Sequence, residues 1–86
     1  MINSKDNPIE WSQLMYELED AHEHLGNLIK EMSKEGRIDV EGYAVDVAHV
    51  YAHLNRAWNS REFIGEMSEA QWGEYRAFPK DLEPLA

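Results

Sequence analysis

Four histidines fall in two pairs along this chain of 86 residues, His22 with His24 and His49 with His53. The second pair is spaced i, i+4, so on a helix both imidazoles leave one face, as two ligands of a shared metal ion must. Asp46 stands three residues before His49 on that face, and an upstream segment carries Glu17, Asp20 and His24. Imidazole and carboxylate donors between helices are what a Zn, Fe or Mn centre in a helical bundle requires. The candidate ligands are His24, Asp46, His49 and His53, with Glu17 beside them. The same residues also read as ion pairs, His24 with Asp46 and Glu17 with His53; exposed pairs of that kind contribute ~0–1 kcal/mol. Glu19-x-x-His22 and Asp46-x-x-His49 match the Glu-x-x-His pattern of di-metal bundles only loosely, because Glu19 faces outward and His22 toward the opposite flank. The His49–His53 pair also lacks the intervening Glu of a metalloprotease.

Other chemistries have less to stand on. There is no cysteine, which excludes disulfides and thiolate metal ligands. Ser12, Ser33, Ser60 and Ser68 read as helix-surface or cap residues, and the five scattered glycines form no phosphate loop. No catalytic residue is assigned. Eight Lys and Arg against seventeen Asp and Glu give a net charge of -9, so a nucleic-acid backbone would be repelled. An acidic face such as Glu17-Glu19-Asp20-Glu23 suits a solvated helix, or a nucleic-acid mimic that binds a basic protein. The polar N-terminus is not a signal peptide, and no apolar run is long enough to span a membrane. A cytoplasmic location is expected.

The elements that must position these side chains are helical. After a loose leader over 1–6, Asn7-Pro8-Ile9-Glu10 predicts an N-cap, a proline at the first helical position and a capping box. Trp11, Leu14, Leu18, Ala21, Leu25, Leu28 and Met32 then recur at alternating steps of three and four, predicting a helix over 8–34 that stops at Gly36. Asp39 caps a second helix over 40–64, with Val40, Tyr43, Val47, Val50, Leu54, Ala57 and Ile64 in its seam. Ser68 and Gln71 form a second capping box for a short helix over 69–77, ended by Pro79, before an extended tail over 79–86.

A connection of about five residues makes the two long helices antiparallel neighbours in a single helical domain. Counting outward from Gly36 sets Glu17 near His53 and His24 near Asp46 on a polar flank. Ile29, His22 and Met15 fall near Ala44, Tyr51 and Trp58 on an apolar one, which the third helix covers in part. The stretch from Val47 to Asn55 has no fixed charge and apolar residues on more than one face, so it calls for a partner. The favoured reading is a small acidic module that dimerises, without catalytic activity, into a four-helix core. Its contact set is Tyr43, Val47, Val50, Tyr51, Leu54 and Trp58, with Val45, Ala48 and Ala52 allowing close approach. Trp11, Trp58 and Trp72 serve as core and interface anchors. Metal binding and nucleic-acid mimicry are the alternatives.

Overall fold

Proline at the first helical position, a left-handed glycine and two side-chain caps divide this chain into three helices. The computed structural model describes residues 1–85: α1 spans Pro8–Glu35, α2 Val40–Asn59 and α3 Glu69–Arg76. No strand occurs among the described residues. Gly36 ends α1 with φ 69 and donates its N–H to the Met32 carbonyl at 2.8 Å, a conformation in which any Cβ would be strained. Three residues later the Asp39 carboxylate accepts from Gly42 N at 2.7 Å and starts α2. The Ser68–Gln71 capping box is formed in full at the start of α3.

Two local expectations are corrected. Asn7 makes no side-chain cap. Its carboxamide oxygen instead accepts from Asn3 N at 3.3 Å, while Asn3 Oδ1 accepts from Lys5 N and Asp6 N. This turn gives the leader an anchor: Ile2 N donates to the Arg61 carbonyl at 2.9 Å, and the Ile2 side chain is buried. The second helix ends at Asn59, not at residue 64. Ser60 Oγ donates to the Arg56 carbonyl at 2.7 Å, competing with helix propagation, and a turn through Phe63 N and the Ser60 carbonyl reverses the chain. Asn59 Nδ2 is committed elsewhere, donating to the Tyr75 and Ala77 carbonyls at 2.9 and 2.8 Å at the end of α3.

α1, at 28 residues, therefore outruns α2, at 20, by about 12 Å of helix. The leader fills part of that gap, where Ile2 packs with Leu14 and Ala57 and Trp11 lies against them. Leu14, Ala21 and Leu28, spaced one heptad apart, form the buried stripe of α1, and His53 and Ala57 are its buried counterparts on α2. The seam of α2 is rotated from the one its apolar spacing predicts. Val40, Tyr43, Leu54 and Ile64 are exposed, and Val47 and Val50 only half-buried. Ala21 and Ala57 are the small residues of the seam, and Glu17 pairs there with His53 Nδ1 and Arg56 while His53 Nε2 is left without a partner.

Leu14 is only 4% exposed and sits at the junction of leader, α1 and α2. Leu14→Ala is expected to lower the unfolding free energy by about 2–4 kcal/mol in urea denaturation. Tyr16→Ala, at an exposed position two residues on, should change it by less than ~0.5 kcal/mol.

Candidate metal centre

α1 presents Glu17, Asp20 and His24 at steps of three and four, and α2 answers with His49, His53 and Arg56. Antiparallel packing brings the two sets together on one flank of the hairpin. Glu17 Oε2 lies 3.0 Å from His53 Nδ1, and Arg56 Nε donates to both Glu17 oxygens at 3.0 Å. The side chains of His53 and Glu17 are 8% and 18% exposed, so the contact is well shielded from water. α3 reaches the same carboxylate: burial, and after it the Glu17 charge, push the Tyr75 hydroxyl up from its ordinary range.

Beyond His53 the three imidazoles of His24, His49 and His53 converge. One nitrogen from each can be chosen so that all three lie within 4.8 Å of one another. The ring centroids are 4.0 Å apart for His24 and His49, 4.9 Å for His49 and His53, and 5.3 Å for His24 and His53. A tetrahedral ion with bonds of about 2.0–2.1 Å needs donors roughly 3.4 Å apart. His53, stacked on both other rings, and the tilted His24–His49 pair would have to fan inward by about an ångström. His49 is exposed and free to turn, whereas His53 is held by Glu17 and Arg56.

His53 Nε2 is buried and has no hydrogen-bond partner. The opposite nitrogen, Nδ1, lies 2.9 Å from Arg56 Nη2 as well as 3.0 Å from Glu17. A carboxylate only accepts and a guanidinium only donates, so a single proton on Nδ1 cannot serve both. With that proton in place, Nδ1 donates to Glu17 and Nε2 is a bare lone pair. This is the orientation by which a carboxylate fixes a metal-binding imidazole. His49 is held below its ordinary value of 6.5, first by desolvation of its charged form and then by positive charge on His24, His53 and Arg56; Asp20 acts in the opposite sense.

Of the five residues proposed as ligands, the structure gathers His24, His49 and His53 and leaves two outside. Glu17 stands behind His53 as its carboxylate partner. Asp46 is half-buried but lies outside the cluster, and its expected ion pair with His24 does not form among the described residues. His24 packs against His49 instead. His22, set beside Tyr51 on the flank expected to be covered in part, is exposed. Two contributors escaped the sequence: Arg56, whose i, i+3 spacing from His53 was a usable signal, and Tyr75, which a turn of irregular chain delivers. α3 thus lies over the polar flank, not over the apolar one where it was expected.

Comparison with protein-family models, with curated proteins and with solved structures gives no match. What the site does has to come from its side chains.

In an NMR titration the His49 imidazole should lose its proton below pH 6.5, and its midpoint should rise in His24→Asn, which removes one of the neighbouring charges. Since the shift favours the neutral ring, protons should compete with a metal for His49 itself only below that value. A native midpoint at or above 6.5 would contradict this electrostatic picture.

Proposed function

We propose that this chain binds a divalent transition-metal ion through His24, His49 and His53. The observation that carries the reading is the buried, unpartnered Nε2 of His53, with Glu17 on the other nitrogen and two further imidazoles beside it. Leaving such a nitrogen unsatisfied costs roughly 1–3 kcal/mol, a penalty that coordination would remove. An all-imidazole set with no carboxylate in the first coordination sphere favours Zn2+ over Mn2+ and suits Fe2+ less well. Three protein ligands leave one tetrahedral position for water or another donor. The ion would join α1 to α2 and would stabilise the folded hairpin by mass action, since the unfolded chain holds no such cluster. Glu17 would set the tautomer of His53, and Arg56 would hold the Glu17 carboxylate in place.

Isothermal titration of untagged protein with Zn2+ should give one ion per chain and a higher melting temperature. His53→Ala should abolish stoichiometric binding, whereas His22→Ala, outside the cluster, should leave it intact. Glu17→Gln should weaken binding by about 10–100-fold. Titration without stoichiometric uptake, or uptake indifferent to His53→Ala, would overturn the assignment.

A further inference from the structure

On the flank opposite the histidines, α1 exposes Leu18, Leu25 and Ile29, and α2 exposes Tyr43, Tyr51 and Leu54. Helical spacing puts the α1 set on one side of the buried Leu14–Ala21–Leu28 stripe, and antiparallel packing puts the α2 set on that same side. The centre of the band carries no charged residue, and at one end the tail residues Phe78, Pro79, Leu82 and Glu83 line a groove with Tyr51 and Leu54. His22 lies along it on α1 and Ala44 and Val47 on α2, while Glu19, Gly26 and Ser33, one heptad apart, follow its outer edge and Glu23 projects beyond it. α3 does not cover it, because Tyr75 lies against Glu17 and Arg56 on the other flank.

The surface area is large for the mass. The chain exposes 7044 Å². A compact monomer of 10.0 kDa is expected to expose about 5,200 Å². The excess, roughly 1,800 Å², is more than the ~800 Å² each partner contributes to a standard interface. No side chain among the described residues is fully buried, so the hairpin has a seam but no interior.

From this we infer that the Leu18–Leu25–Ile29 and Tyr43–Tyr51–Leu54 band is a twofold interface between two copies of this chain. A second copy fits better than a different partner for a physical reason. With a net charge of -9, two chains repel least where they meet without charge, and this band is a long face whose centre carries none. Antiparallel hairpins stacked by such a face bury both stripes in a four-helix core, the usual remedy for a chain this short without disulfides. The contact shares Tyr43, Tyr51 and Leu54 with the surface predicted from the charge-free run, but it takes in α1 and leaves out Val45. It places the two histidine clusters on outer faces, and it does not depend on metal.

Size-exclusion chromatography with light scattering, from low micromolar to submillimolar protein, should give about twice the 10.0 kDa chain mass. Leu25→Glu and Tyr51→Glu should each raise the dissociation constant about thirtyfold or more. Val45→Glu, exposed but off the band, should leave it unchanged. Far-UV circular dichroism at high concentration separates loss of association from loss of fold, and a variant that unfolds is replaced by Ile29→Gln at the same band. A single-copy mass throughout the range overturns the proposal, as does a dimer broken by Val45→Glu and not by the band variants.

Discussion

The Glu17 carboxylate is the contact on which the rest of this structure turns. It engages both other helices: His53 and Arg56 of α2 directly, and Tyr75 of α3 at its edge. A shielded carboxylate is costly unless paired and hydrogen-bonded, and here the guanidinium supplies charge while the imidazole supplies a directed donor. The arrangement fixes the rotation of α2 about its axis. Turning α2 far enough to bury Tyr43 and Leu54 would pull His53 and Arg56 off Glu17 and leave its charge unpaired inside the seam.

That constraint explains which parts of the molecule were legible in the sequence. Gly36, Asp39 and the Ser68–Gln71 box act through backbone geometry within a few residues, so the bounds they set hold to within a residue. The pairing of Glu17 with His53 followed from counting outward from one turn, because a tight connection leaves the register little freedom. Burial did not follow. Apolar spacing set Tyr43 and Leu54 in the seam and His53 at its edge, and the structure reverses them. Periodicity ranks faces by hydrophobicity alone and cannot weigh a three-residue polar contact against two leucine-sized side chains.

The ends of the chain were the least legible parts. Ile2 enters the core because the Asn3–Asn7 turn aims it there, and no pattern rule distinguishes that turn from a free leader. The segment after Asn59 is similar. Its course is set by single polar contacts, Asn59 to the carbonyls of α3 and Trp58 Nε1 with Arg61 to the Asp81 carboxylate, each depending on atoms more than a dozen residues away. Such contacts decided that α3 would roof the Glu17 flank. Glu17 has Tyr75 beside it because of contacts whose partners the sequence does not announce.

The brevity of the link between α1 and α2 also bears on kinetics. His24 and His49 lie on either side of a four-residue turn, and most of the chain between them is itself helix. Loop closure therefore costs little beyond forming the helices and the turn, and contacts of such short range are the ones chains form fastest. A cation arriving at this hairpin would meet donors already assembled. Its rate of capture would reflect diffusion and ring reorientation, while escape would require the rings to let go one at a time.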